Sequence, residues 1–293
     1  MPNDDLIRPV VRWYRRHARE LPWRSSPPDP WSVMVSEFML QQTPVDRVRP
    51  VFAAWLARWQ EPAALAAAPA GDAVRMWGRL GYPRRALRLH SASRAIVDQH
   101  GGAVPTDLDD LRALPGVGDY TAAAIAAFAH GARVAVLDTN VRRVHARTLD
   151  GEAFPRSNAP TVAERQRALD LLPMRGSAAA EASVAVMELG ALVCTARAPR
   201  CDGCPVSSSC GWFQAGRPAW EGPARRGQSY AGTDRQCRGA LMAVLRESAT
   251  PVTGIALRDA WPTDDVQRLR ALDGLVADGL VIPLARNRFS LPS

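Results

Sequence analysis

Four cysteines fall within 17 residues, in the pattern Cys194-x6-Cys201-x2-Cys204-x5-Cys210. Thiols this dense in a reducing compartment point to a metal centre over disulfides. They can hold Zn²⁺ or a [4Fe–4S] cluster, and the spacing alone does not separate the two. Cys237 stands apart and reads as a plain thiol. Two carboxylates suggest a second chemistry. Glu37 lies among Val35, Phe38, Met39 and Leu40. Periodicity alone slightly favours a solvated face for it. If it is buried instead, its pKa rises and it can serve as a general acid near neutral pH. Asp138 ends the apolar run Val134–Leu137 and opens a helix over 139–149; read alone, it is an N-cap.

A third feature is the turn Leu114-Pro115-Gly116-Val117-Gly118 between two helices. Pro115 and the glycines stop one helix and start the next. With no Cβ at Gly116 and Gly118, backbone amides can approach a ligand closely. The Ala-rich helix after the turn aims free N–H groups and its positive dipole end there, which makes an anion site.

These residues need a helical frame. The 293 residues are 47% hydrophobic, rich in Ala and Leu, and poor in strand formers until the C-terminus, so a mostly helical chain is expected, long enough for two domains or one large domain with an appendage. An amphipathic helix is expected over 5–19, and a helix capped by Ser32 should run to about Gln42. Alternating helices and breaks follow over 46–100, including the Leu80-Gly81-Tyr82-Pro83 turn. His90 reads as a surface or partly buried histidine. Further helices are expected over 161–173 and 178–193. Residues 215–234, rich in Gly, Pro and Arg, read as a linker. The tail should form helices near 235–248, 253–260 and 264–278 and strands at 280–284 and 287–291, a winged-helix-like set. It could contact DNA or merely pack on the main domain.

The net charge is +8, which favours a polyanionic partner. All 37 basic residues are Arg, because the chain contains no Lys. No side-chain amine is therefore available to form a Schiff base. No apolar run has the length of a membrane span or the form of a signal peptide, so a cytoplasmic protein is expected.

Together these pieces resemble the helix-hairpin-helix DNA glycosylases, and among them the adenine glycosylase (MutY) family. The resemblance covers roughly residues 8–215. It rests on LPWR at 21–24, SEFMLQQT at 36–43, LGY at 80–82, LPGVGDYTA at 114–122, LDTNV at 137–141, MELGALVCT at 187–195 and the cysteine spacing. It implies an all-α, two-lobed fold with a [4Fe–4S] cluster. A six-helix barrel would span 25–131. The cluster domain would combine 1–24 with 132–215, followed by a linker at 216–234 and a small winged-helix-like domain at 235–293. The implied activity is removal of adenine opposite 8-oxoguanine or guanine in double-stranded DNA, by a monomeric, nucleoid-associated enzyme.

The resemblance also assigns roles. Glu37 would protonate adenine N7 and activate water. Asp138 would stay ionised and stabilise the oxocarbenium-like sugar electrostatically or by transient covalent bonding. Tyr120 would hydrogen-bond near Asp138, and Asn140 would position water or the leaving base. Arg24 would line the adenine pocket. Leu40, Gln41 and Gln42 would contact DNA, with Gln42 entering the base stack, and Tyr82 would wedge near the opposite base. Gly116, Val117 and Gly118 would grip phosphate through their amides, and Arg197 and Arg200 would add phosphate contacts beside the cluster. Cys194, Cys201, Cys204 and Cys210 would be the iron ligands. Bifunctional endonuclease III relatives carry Lys where Tyr120 stands, so a monofunctional enzyme is expected.

Departures from the family pattern are Pro83 in place of a second Tyr, Ser183-Val184 in place of a polar pair, and a tail too short for a Nudix-like reader of 8-oxoguanine. Two rivals remain: a thymine glycosylase acting on T:G mismatches and a non-catalytic iron–sulfur DNA-binding protein. Glu37 within SEFMLQQT favours adenine over the first. The Glu37, Tyr120 and Asp138 set argues against the second.

Overall fold

A computed structural model describes residues 2–222 and 230–293; residues 223–229 of the expected linker lie outside the described residues. In chain order the helices are α1 (Pro2–His17), α2 (Pro30–Leu40), α3 (Val45–Arg58), α4 (Pro62–Ala66), α5 (Ala70–Trp77), α6 (Arg84–His100), α7 (Leu108–Ala113) and α8 (Asp119–His130). They continue with α9 (Thr139–Leu149), α10 (Val162–Leu171), α11 (Gly176–Leu192) and the short α12 (Gly211–Gln214). The C-terminal module contributes α13 (Asp234–Glu247), β1 (Val252–Thr253), α14 (Gly254–Ala260), α15 (Asp265–Ala277), β2 (Ile282–Leu284) and β3 (Arg288–Ser290). The expected helical class holds. The cap of α2 is not Ser32, as the sequence suggested. Asp29 accepts from the N–H groups of Trp31 (3.3 Å) and Ser32 (3.0 Å), and Ser32 is buried.

The chain forms two compact units. The first gathers the described residues of 1–34, 106–113 and 117–224. Its core packs Leu6, Ile7, Val10 and Trp13 of α1 with Val141 and Val144 of α9 and Ala182, Ala185, Val186 and Leu189 of α11. The spacing of those α1 residues places them on one helical face. Each large side chain so buried contributes about 1.5–3 kcal/mol. Gly190 lets α11 approach α9 closely, because a Cβ there would lie 2.7 Å from Asn140 Cβ. Helix α10 begins with a capping box between Thr161 and Glu164.

The second unit gathers 35–105, 114–116 and the C-terminal module. Phe38, Phe52, Trp55, Trp77, Leu89 and Ile96 are fully buried in it. Trp55 meets Trp77 edge-on, with ring centroids 5.8 Å apart. His90 is buried, with Nε2 2.8 Å from the Ala68 carbonyl. Cys237 is a free, buried thiol. The module's antiparallel sheet has order β1-β3-β2, with Phe289 of β3 opposite Val252 and Pro283. Strand β1 was not expected, since two residues give no alternation to read. The three helices and sheet have winged-helix topology.

The module is docked within its unit. The Gly71 N–H donates to the Pro292 carbonyl at 2.7 Å. A Cβ at Gly71 would lie 2.5 Å from that oxygen. Arg75 donates to the Ser248 carbonyl, and Arg84 pairs with Asp278 at 3.0 Å.

Candidate active site

Asp138 is the N-cap of α9, as its local pattern suggests, but its carboxylate has more than a capping bond. Oδ1 accepts from the Val141 N–H at 2.7 Å, and Oδ2 accepts from Asn140 Nδ2 at 2.7 Å. Crowding by protein atoms pushes its pKa above the usual carboxylate value; the bonds from Val141 and Asn140 and the charge of Arg143 oppose this. Those N–H donors favour the ionised form. The Asn140 side-chain oxygen accepts from Arg143 Nη2 at 2.8 Å. Arg143 also donates to the carbonyls of Gly190 (2.7 Å) and Cys194 (2.8 Å). Tyr120 belongs to the apolar cluster that contains Val136, two residues before Asp138.

The four cysteines line one cavity together with Arg147 and Trp212. Burial raises the pKa of Cys201, Cys204 and Cys210, Cys204 to about 11, and neighbouring cysteines add to each shift. Thiols that crowd one another this way suit a cationic metal centre, which binds them as thiolates. Arg147 Nη1 lies 3.3 Å from Cys194 Sγ and 2.8 Å from the Thr195 carbonyl, and the guanidinium stacks over Trp212. Arg197 is exposed beside the loop, and the Arg200 guanidinium donates to the Leu192 carbonyl.

Arg24 is not a free pocket residue. Its Nη2 pairs with Glu188 Oε2 at 2.8 Å, and Arg19 pairs with the same carboxylate from Nε and Nη2. Glu188 is fully buried. Burial would raise its pKa, but hydrogen bonds from Arg19 and Arg24 hold it down at about 2. No local pattern signals this network, because its members are 164 and 169 residues apart.

The second unit carries the other expected residues. Glu37 is 7% exposed, so the slightly favoured solvated face does not hold. Leu40 ends α2, and the exposed Gln42 follows with φ 55°. Tyr82 has φ 46° and is 49% exposed. Left-handed backbone is uncommon outside Gly and is held by its surroundings. The surroundings here are Arg85, which sequence reasoning missed. Its buried guanidinium donates to the carbonyls of Phe38 (2.9 Å), Met39 (3.1 Å), Gln41 and Gly81 (3.0 Å) and to Thr43 Oγ1 (3.0 Å). It therefore ties the 41–43 loop to the 80–82 turn. Burial lowers the Arg85 pKa to about 10.

The two turn glycines differ. Gly116 has φ +82°, and a Cβ would lie 2.7 Å from Arg88 Cβ and 3.1 Å from Phe38 Cε1. Gly118 has φ −99° and open space around it. It caps α8 with no side-chain bond to the first turn, leaving those N–H groups for an anion. Val117 is buried.

Residues 35–165 match the HhH-GPD superfamily base excision DNA repair protein family. Residues 194–210 match the iron-sulfur binding domain of endonuclease III. The chain is 52% identical over 284 residues to an adenine DNA glycosylase of Mycobacterium tuberculosis, covering 97% of this chain and 92% of that protein. It is 50% identical over 282 residues to an adenine DNA glycosylase of Mycolicibacterium smegmatis, covering 96% and 94%. A solved thermostable thymine-DNA glycosylase superposes with a TM-score of 0.66 at 25% identity, over 73% of this chain and 97% of that one. The cysteine loop is thus an iron–sulfur loop, which resolves the choice between zinc and iron that spacing left open. With this identity along nearly its whole length, the chain belongs to the adenine DNA glycosylase family, whose members are iron–sulfur DNA glycosylases of base excision repair.

Proposed function

We propose that this protein removes adenine mispaired with 8-oxoguanine or guanine, hydrolysing the N-glycosidic bond and leaving an abasic site without cutting the strand. The observation that carries the reading is the Asp138 carboxylate, held by the N–H donors of Val141 and Asn140 at the start of α9, in a chain whose Glu37 is also buried. A carboxyl acid and an ionised carboxylate are the division of labour of two-carboxylate glycosidases.

Duplex stacking hides the bond, so the nucleotide must turn out of the helix. Glu37 then donates a proton to adenine N7, making the base a better leaving group. Asp138 stabilises the positive charge that develops on the sugar, held in orientation by Asn140. Glu37, now ionised, takes a proton from the attacking water. Tyr120 borders this site where bifunctional relatives place Lys, and the chain has no Lys to cleave the strand through a Schiff base. Gln42 and Tyr82 enter the stack from the loops that Arg85 ties together. The uncapped amides at Gly118 hold phosphate without reading sequence. Cys194, Cys201, Cys204 and Cys210 hold the cluster, which braces the loop bearing Arg197 and Arg200. The enzyme acts as a cytoplasmic monomer on the nucleoid.

Single-turnover cleavage of labelled duplexes tests the reading. The A strand should break only after alkali, opposite 8-oxoguanine or G but not T. Cleavage of T opposite G would move the protein to the thymine branch. A Glu37→Gln protein should still bind duplex but not cleave it; no cleavage by the wild-type, cluster-loaded protein would leave a binding function only.

A further inference from the structure

Arg246, in the last turn of α13, is partly buried, and its Nε is shielded from solvent with no hydrogen-bond partner. Among the described residues no carboxylate forms an ion pair with it. Other arginines where the C-terminal module meets its unit are neutralised: Arg84 and Arg238 share Asp278, and Arg58 and Arg75 share Asp72. Arg246 sits at the same junction: Arg75 of α5 donates to the carbonyl of Ser248, two residues further on. Burial, and then the like charge of Arg79, depress the Arg246 pKa. Arg79 is exposed and lies three residues before Tyr82. Its carbonyl accepts from the guanidinium of Arg47, which is also exposed.

Crowding guanidinium groups without a carboxylate is unfavourable for the free protein. An anion with several oxygens would relieve it, and guanidinium groups match phosphate oxygens well. We infer that Arg47, Arg79 and Arg246 form a binding site for backbone phosphodiesters beside the Tyr82 turn, with the C-terminal module supplying one arm. The inference rests on the DNA-glycosylase reading above. It gives the winged-helix-like module a role that its fold alone does not suggest. The module adds charge at its junction with the 79–82 turn and need not insert α15 into a groove. Asp265 and Asp273 on α15, both exposed, are poorly suited to insertion.

Fluorescence anisotropy with an undamaged duplex, using full-length cluster-loaded protein, tests this over about 50–200 mM salt. Arg246→Met should weaken binding roughly 5- to 10-fold near ~0.1 M salt and flatten the log K against log salt slope by about 1. Its melting temperature should stay level or rise, because a crowded, unpaired charge has been removed. Arg79→Ala, at an exposed position, should flatten the slope by a similar amount, and the double variant by about 2. If Arg246→Met lowers the melting temperature and leaves affinity and slope unchanged, Arg246 is structural and the inference fails. If Arg246→Met does not fold, Arg79→Ala decides: an unchanged slope overturns the site. A wild-type protein that binds no duplex at low salt would instead overturn the glycosylase reading itself.

Discussion

Replacing Glu188 by Gln tests how much a buried carboxylate contributes here. Glu188 is 0% exposed and accepts from the Arg19 N–H at 3.0 Å and from Arg19 Nε, Arg19 Nη2 and Arg24 Nη2 at 2.8 Å each. Burial opposes its charge, yet the arginines hold its pKa at about 2 in place of 4.5. At ~1.4 kcal/mol per pH unit this is about 3 kcal/mol in favour of the ionised form. The folded value lies below the unfolded one. The contribution is therefore complete above pH 4.5 and is lost as pH falls toward 2. Near neutral pH, Glu188→Gln should forfeit about 3 kcal/mol, because it also leaves two partly buried arginines facing an amide. For a protein of this size that lowers the melting temperature by roughly 6–12 °C. The assay is thermal unfolding of cluster-loaded protein at neutral pH. Replacing Arg19, Arg24 and Glu188 together by Met should recover much of the loss, since no charge is then stranded. A Glu188→Gln melt within about 2 °C of wild type would refute the reasoning, for it would mean that solvent already screens the pair.

Three other outcomes are expected. Gly116→Ala should destabilise the protein by about 2 kcal/mol and weaken duplex binding, because φ +82° and the 2.7 Å approach to Arg88 Cβ both resist a side chain; a urea melt and anisotropy check it. Asn140→Ala removes a donor from ionised Asp138, so the Asp138 pKa should rise further; the acidic limb of the single-turnover pH profile should then move to higher pH. Arg147→Met should loosen the cysteine loop, since the carbonyls of Ala153, Thr195 and Ala196 lose their donor; the iron-to-protein ratio and visible absorption of the purified protein should fall, and an unchanged ratio would contradict the bracing role.

The sequence made the helices and the cysteine loop legible because both depend on near neighbours. Asp138 was readable as a cap for the same reason. Glu37 was not readable: apolar residues surround α2 on nearly every side, so periodicity gave no inward face, and only packing could bury the carboxyl. The cap of α2 was misplaced by three residues because Asp29 and Ser32 are both good caps; the bonds made by Asp29 separate them. Glu188 and Arg85 were invisible for another reason. A charged residue within a helix normally faces water, and only partners distant in sequence make its burial tolerable. Arg85 finds four of its acceptors, on Phe38, Met39, Gln41 and Thr43, 42–47 positions away, and Glu188 finds its arginines farther still.

The first unit is built from segments that are not consecutive, and this affects its birth on the ribosome. The apolar face of α1, with Leu6, Ile7, Val10 and Trp13, finds its cover on α9 and α11. At about 5–20 residues per second, α11 emerges roughly 10–35 s after α1. For that interval the nascent chain presents a greasy amphipathic helix to solvent, while the segments of the second unit are made in between. Synthesis speed and chaperone supply therefore bear on the yield of this protein more than its final packing would suggest.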